Sequence, residues 1–169
     1  MKIAYADPPY LGCSKFYPEK QEMDHAELIK QLEVYDAWAL SCHTPSLKIL
    51  LPMCPDDARV AAWVKPFCAF KVNVNPAYAW EPVIFKPARG RFSRKLPTVR
   101  DWVSANITIK KGMVGVKPTG FCYWLFELLG AREDDEFLDI FPGTGIVSKC
   151  WQSWCDAKRC SQEVMELKK

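Results

Sequence analysis

Residues 2–10 read KIAYADPPY, a short apolar run that stops abruptly at an acid, two prolines and a tyrosine. The apolar run predicts a strand whose two faces are both buried, as in a sheet covered by helices on each side. The prolines predict a rigid turn directly after that strand, because proline fixes its own φ angle and has no N–H for the ladder. The stretch therefore predicts the first strand of an α/β protein.

The rest of the chain alternates between strand-like and helix-like segments. Asp24 followed by Glu27 resembles a helix capping box. The apolar residues Phe121, Leu125 and Leu128 repeat at helical spacing. These and similar patterns predict helices at residues 24–34, 44–51, 118–129 and 146–154, and further strands at 35–42, 59–64, 78–85, 136–140 and 161–165. Strands separated by helices indicate a parallel sheet with helices on both faces.

Length and composition predict one compact domain over residues 1–169, since this length is typical of a single folded unit. Hydrophobic residues make up 49% of the chain and charged residues 25%, which excludes a disordered chain. The apolar runs are too short to cross a membrane, and the start of the chain lacks the apolar core of a signal peptide. We therefore expect a soluble, intracellular, cytoplasmic protein with no membrane partner.

The positive charge of the chain is concentrated in one segment. Residues 86–117 carry nine basic residues against one acid, a net charge of +8, whereas the rest of the chain carries −5. The segment lacks sustained periodicity, so we predict a short, loop-rich basic insertion. Its cations are suited to neutralising phosphates, and the alternative is a solvated basic loop. The predicted nucleic-acid-binding residues are Arg89, Arg91, Arg94, Lys95 and Arg100.

Cysteine and histidine spacing does not favour a metal site. The eight cysteines include no Cys-x-x-Cys pair, and Cys150, Cys155 and Cys160 stand five residues apart with no histidine near them. Zinc ligands usually stand closer together than this. His25 and His43 are the only histidines, so the sequence does not favour catalysis by a Ser-His or Cys-His pair. We predict no metal ion and expect reduced, mostly buried thiols.

A glycine-rich turn is predicted between the strand at 136–140 and the helix that follows it. Gly143 and Gly145 would let the backbone approach a ligand closely, because glycine has no side chain to block it. The spacing matches neither the dinucleotide fingerprint nor a P-loop. Glu163 follows Gly145 by 18 residues, at the end of the predicted last strand, where an acid can bind a ribose. The alternatives are an ordinary glycine turn and a solvated glutamate.

The turn at residues 7–10 combines three groups that suit an amino-bearing base. The carboxylate of Asp7 and the carbonyl of Pro8 can accept the two hydrogens of an exocyclic amine, while Tyr10 stacks on the ring. Pro9 keeps the turn rigid. The alternative is a proline turn with a capping acid and a packed tyrosine.

These motifs resemble those of the S-adenosylmethionine (SAM) dependent amino-methyltransferases that methylate adenine N6 or cytosine N4 in nucleic acids. Residues 7–10, DPPY, look like the catalytic motif of that family. Residues 138–145, LDIFPGTG, look like its cofactor motif, and residues 117–119 resemble the segment before it in the permuted members. The catalytic motif stands before the cofactor motif, as in the permuted class whose target recognition is inserted between the two halves.

The resemblance implies a Rossmann-like, doubly wound, mostly parallel sheet with helices on both faces, as in class I methyltransferases, and SAM as cofactor. It implies that Asp7, Pro8, Pro9 and Tyr10 form the catalytic motif. In the implied cofactor site, Phe141, Gly143 and Gly145 line the methionine part and Asp139 contacts its amino group. Lys117, Pro118 and Thr119 border this site, and Glu163 binds the ribose. The implied activity is methyl transfer to N6 of a flipped adenine in double- or single-stranded DNA, with loose sequence specificity because the insertion is short.

Three further expectations stay open at this point. The same chemistry on cytosine N4 or on RNA adenine is an alternative, and Asp7 favours adenine only by family analogy. A noncatalytic nucleic-acid-binding subunit with the same fold is another. The chain begins six residues before Asp7, without the strand that often precedes this motif in permuted members. We therefore expect weaker or partner-assisted cofactor binding, from a homodimer or a partner subunit.

Overall fold

The computed structural model describes residues 1–12, 22–67, 72–88, 98–108 and 116–166, excluding the side chains of 162–166. The described strands are β1 (Lys2–Ala6), β2 (Ala37–Ser41), β3 (Arg59–Val64), β4 (Trp80–Lys86), β5 (Trp102–Ser104) and β6 (Glu136–Asp139). The described α-helices are α1 (His25–Leu32), α2 (Thr44–Leu50), α3 (Thr119–Leu129) and α4 (Ile146–Glu166). A 3-10 turn, Leu51–Met53, follows α2.

The strands form one sheet in the order β5-β3-β4-β2-β1-β6. Strand β1 lies between β2 and the edge strand β6 and is parallel to both. By contrast, β4 runs antiparallel to both of its neighbours, β2 and β3, and β5 is parallel to β3. Five of the described strands therefore share one direction and β4 is reversed, which confirms a mostly parallel sheet.

Helices cover both faces of the sheet. Along β1 the side chains alternate, so that Ile3 and Tyr5 pack into a cluster with residues of α3 and α4. Ala4 and Ala6 face the other way and pack with residues of α1 and α2. All four side chains are fully buried, which is why residues 3–6 lack charged side chains.

Local sequence signals define several helix ends. The Asp24 carboxylate accepts a hydrogen bond from the Glu27 amide at 3.0 Å and caps α1, as the capping-box pattern predicts. Helix α3 ends at Gly130, whose φ of +70° places it in the left-handed region that favours glycine. Among the described residues, no helix is both long and apolar enough to cross a membrane.

The strand predicted at residues 161–165 is wrong. Helix α4 continues through that segment to Glu166, because no proline or glycine interrupts residues 146–166. Glu163 therefore lies on a helix and not at the end of a strand, which removes the basis for the predicted ribose contact. Its side chain lies outside the described part of the structure.

The basic insertion contributes one strand that the sequence pattern does not predict. Residues 102–104 form β5 and extend the sheet beside β3. The Ala62 amide donates to the Asp101 carbonyl at 2.9 Å, and the Ala105 amide donates to the Val64 carbonyl at 3.1 Å. This pairing covers the edge of β3 from residue 62 to residue 64, which would otherwise expose unpaired backbone groups.

Candidate active site

The predicted catalytic and glycine-rich turns meet at one edge of the sheet. Because β1 and β6 are parallel, Asp7 after β1 and Asp139 at the end of β6 lie at the same carboxyl edge. The reversed strand β4 begins at this edge and places Glu81 there. Pro8 is buried, and Asp7 and Tyr10 are half-buried.

A chain of alternating charges crosses the site. The buried Lys117 ammonium lies 2.9 Å and 3.0 Å from the two carboxylate oxygens of Asp7. The same nitrogen lies 3.5 Å from Oε2 of Glu81, whose other oxygen, Oε1, pairs with Lys65. Two cations are thereby matched to two carboxylates, which makes burial of the charges tolerable.

Of Asp7, Glu81 and Lys117, only Asp7 has a pKa that is shifted towards its neutral form. Burial raises the pKa of the Asp7 carboxyl, although Lys117 acts against the shift. Burial also acts to raise the pKa of Glu81, but Lys117 and Lys65 outweigh it and lower this pKa. For Lys117, burial acts to lower the pKa and the two carboxylates outweigh it, so its pKa is raised. Lys117 and Glu81 therefore remain charged at neutral pH.

Tyr10 is held from two directions. Its hydroxyl lies 3.2 Å from Glu81 Oε2 and 3.4 Å from Asp7 Oδ1. Its ring stacks on His43, with 5.3 Å between the centroids and an interplanar angle of 4°. Nδ1 of His43 is in turn hydrogen-bonded to the Ser46 hydroxyl at 2.6 Å. The position of the Tyr10 ring is therefore set before any ligand arrives.

A cavity of about 190 Å³ separates the two turns. Its lining includes Asp7 and Lys117 on one side and Asp139, Phe141 and Gly143 on the other. The structure thus brings a predicted catalytic residue together with four of the predicted cofactor residues. Pro118 is the N-cap of α3 and Thr119 is the first residue of this helix, so these two position Lys117.

Asp139 carries an unsatisfied buried carboxylate. Neither of its oxygens has a hydrogen-bond partner among the described residues. Burial, and secondly the charge of Asp7, raises the pKa of Asp139 to about 6. The Phe141 amide favours the ionised form but does not reach hydrogen-bonding geometry. A buried acceptor without a partner is rare in proteins and suits a cationic donor on a ligand.

The turn from β6 to α4 depends on glycine for its backbone shape. Gly143 has a φ of +46° and Gly145 a φ of +70°, both in the left-handed region. A Cβ added at Gly145 would meet no atom within 4 Å, so crowding does not explain this glycine. Its role is conformational.

Replacing Gly145 by alanine is therefore expected to lower the free energy of unfolding by about 1–2 kcal/mol, the cost of a left-handed non-glycine residue. Urea unfolding measures this change. Gly120→Ala is the matched control, because Gly120 lies in α3 and its added Cβ would only touch Ala105 at 3.9 Å. The control should be neutral or slightly stabilising, and an unchanged midpoint for Gly145→Ala would contradict the assigned role.

Of the predicted nucleic-acid-binding residues, only Arg100 lies in the described part. Its side chain is exposed, and its guanidinium stands 5.5 Å from the centroid of the Trp102 ring. Arg89, Arg91, Arg94 and Lys95 lie outside the described residues. No group of three or more potential metal ligands occurs among the residues that the structure describes.

The sequence places residues 63–66 and 80–82 near strand ends that could line a base pocket, but it assigns no individual role to Glu81, Lys65 or His43. The pattern around Glu81 indicates a strand end but not the direction of the strand, and only a reversed β4 brings Glu81 to Lys117. His43 follows β2, and its position in the sequence indicates only that it packs at a strand end. Its stacking partner Tyr10 comes from another strand end, so no local signal pairs them.

No family model and no curated protein matches the sequence. Among solved structures, the crystal structure of the M1.HpyAVI–SAM complex is similar, with a TM-score of 0.58 and 14% identity over 90% of this chain and 77% of that chain. The crystal structure of M1.HpyAVI gives a TM-score of 0.59 and 15% identity, over 90% and 76% of the two chains. This likeness confirms the α/β, class I methyltransferase-like fold.

Proposed function

We propose that this protein is a SAM-dependent methyltransferase that methylates the exocyclic amino group of a base in DNA, at N6 of a flipped adenine. The observation that carries the proposal is the cavity between Asp7 and the Asp139–Gly143 turn. On one side of the cavity the Asp7 carboxylate can accept hydrogen bonds from an amine. On the other side the Asp139 carboxylate can accept them from a cationic ligand. The family resemblance of residues 7–10 and 138–145, in permuted order, supports the same function.

The residues around the cavity fit SAM. The partnerless carboxylate of Asp139 can accept hydrogen bonds from the ammonium of the methionine part. Asp7, Glu81 and Asp139 outnumber Lys65 and Lys117, which leaves a negative charge to match a sulfonium. Gly143 opens the turn to close approach, and Phe141 lines the cavity beside it. SAM supplies an electrophilic methyl group, and the complex of M1.HpyAVI shows that a protein of similar fold binds it.

The turn at residues 7–10 would prepare the target amine. The lone pair of an exocyclic amine is delocalised into the ring, so this nitrogen is a weak nucleophile. Asp7 and the Pro8 carbonyl accept its two hydrogens, which favours a pyramidal nitrogen and frees the pair. The Asp7 carboxylate already accepts from Lys117 and Tyr10, but two oxygens offer about four acceptor positions. Its negative charge then stabilises the positive charge that develops on nitrogen.

The basic insertion would hold the substrate. Arg100 is exposed beside Trp102, and the other predicted cations Arg89, Arg91, Arg94 and Lys95 belong to the same segment. We propose that they contact phosphates of double- or single-stranded DNA, so binding should weaken steeply with salt. A homodimer or a partner subunit remains part of the proposal, and light scattering with and without DNA tests it.

Incubation with methyl-labelled SAM and DNA should place the label in N6-methyldeoxyadenosine. The purified protein is given double-stranded DNA, single-stranded DNA or RNA, and the product is digested to nucleosides and separated. A duplex of deoxyguanosine and deoxycytidine alone is the matched control and should stay unlabelled. Label in N4-methylcytosine would show that the target is cytosine, and label in RNA would show that the substrate is RNA. DNA binding without any transfer would contradict the proposal and support a noncatalytic subunit.

A further inference from the structure

A second cavity, of about 430 Å³, lies at the same edge of the sheet. Its lining includes Thr44 at the start of α2 and Trp80 at the start of β4. Thr44 follows His43, which stacks on Tyr10, and Trp80 precedes Glu81, which reaches the Tyr10 hydroxyl. The second cavity is therefore a direct neighbour of the candidate active site.

Among the described residues, the second cavity and the cavity beside Asp7 have no lining residue in common. Successive side chains of a strand point to opposite faces, so Trp80 faces α2 while Glu81 faces Lys117. The second cavity and the Lys117 network thus lie on opposite faces of β4. A base in the second cavity therefore occupies a different place from a base whose amine lies at Asp7.

The lining selects a flat, neutral ligand with hydrogen-bonding edges. Tyr78 and Trp80 leave 48% and 38% of their surfaces exposed, and such rings stack on nucleobases. Asn73 and Asn75 line the same cavity, and an asparagine amide offers both donors and an acceptor to a base edge. None of the described residues that line the cavity carries a charge, which favours a base over a phosphate or an ion.

We propose that the second cavity binds the base adjacent to the target in the same strand, unstacked between Tyr78 and Trp80 and contacted by Asn73 and Asn75. This inference rests on the proposed function, because it takes the base at Asp7 to be the target. The site would give the enzyme a preference at one neighbouring position. The loop of residues 72–79 would then act as a reader of sequence without a separate recognition domain.

Fluorescence of 2-aminopurine tests the proposal without requiring activity, because this base is quenched when it stacks on an aromatic ring. One oligonucleotide carries the probe at the target position and two others carry it at the 5′ or the 3′ neighbour. With the wild-type protein we expect a binding-dependent change at the target and at one of the neighbours. Trp80→Ala should abolish the change at the neighbour and keep it at the target. Tyr10→Ala should abolish the change at the target and keep it at the neighbour.

Kinetics give the second readout. An abasic neighbour on the side that the probe identifies should reduce kcat/KM of the wild type about 10- to 100-fold, the usual effect of losing one stacked base. In Asn75→Ala or Trp80→Ala the abasic penalty should shrink, since the contact is already missing. Val72→Ala is the matched control, because Val72 is 89% exposed in the same loop and does not line the cavity.

The outcomes separate this inference from the proposed function. If Trp80→Ala alters the target probe and spares both neighbours, the cavity holds the target base and the inference is overturned. Equal abasic penalties in the wild type and both variants also overturn it. If the neighbour probe responds as expected while no DNA is ever methylated, the cavity is a base-binding site and the proposed methyl transfer is wrong. Thermal melting of each variant shows that it is folded.

Discussion

Replacing Asp7 by asparagine is expected to reduce methyl transfer by roughly 1,000-fold or more. Asparagine keeps the size of the side chain but removes the negative charge that stabilises the developing cation. It also presents an amide donor where the target amine needs an acceptor. Lys117 retains Glu81 as a partner, so the site should stay assembled. Cofactor affinity should change little, because Asp139 is the carboxylate assigned to that ligand.

Single-turnover transfer of labelled methyl measures this loss, with SAM affinity measured by calorimetry on the same preparation. Asp57→Asn is the matched control, because Asp57 is an exposed carboxylate near the start of β3, at the opposite edge of the sheet. The control should transfer methyl at the wild-type rate. Transfer by Asp7→Asn at or near that rate would show that the chemistry lies elsewhere.

The pH profile gives the same residue a second signature. Burial raises the pKa of Asp7, so its carboxylate is protonated at a higher pH than an ordinary aspartate. The protonated form has lost its charge, and transfer should therefore fall as the pH drops through this raised pKa. The residual activity of Asp7→Asn should not show this acid limb.

Replacing Asp139 by asparagine is expected to weaken SAM binding about 10- to 100-fold, the effect of losing a charge-assisted hydrogen bond. The same change should stabilise the free protein at neutral pH. In the free protein the Asp139 carboxylate is buried without a hydrogen-bond partner among the described residues, so ionising it opposes folding. A loss of affinity combined with a gain of stability is the pattern expected of a group reserved for a ligand.

The stability that Asp139→Asn gains over the wild type should increase as the pH rises. The pKa of Asp139 is raised from an ordinary value of 3.8 to about 6 in the folded protein. Below the lower value the residue is protonated in both states, so it affects stability little. As the pH rises towards the folded value, the unfolded chain ionises first and the folded protein loses stability. Asp139→Asn should avoid this loss, which is of the order of 1–3 kcal/mol.

Urea unfolding of wild type and variant across this pH range measures the difference, and calorimetry measures SAM affinity. Asp134→Asn is the control, because Asp134 is exposed in the turn just before β6. It should affect neither quantity. If Asp139→Asn binds SAM as tightly as the wild type does, Asp139 has no role in the cofactor site.

Much of the candidate site could be predicted from the sequence because it is built from local signals. An apolar run that ends in DPPY and another that ends in FPGTG each identify a strand end, and parallel strands bring such ends together. Glu81 could not be found this way, since side-chain periodicity does not encode the direction of a strand. The strand predicted at residues 161–165 is wrong for a related reason: a short mixed segment fits a strand when nothing shows that the helix before it continues.

The position of β1 between β2 and β6 affects how the protein reaches its folded state. Lys2 pairs with Glu136, and the amino terminus is bound to Asp135, a separation of 134 residues. Contacts this distant in sequence close slowly, because the chain between them must first lose its freedom. During synthesis β1, which precedes Asp7, is made before β6, and in the folded sheet β6 is one of its two neighbours. The candidate active site is therefore among the last features to assemble, and chains truncated before β6 should be unable to form it.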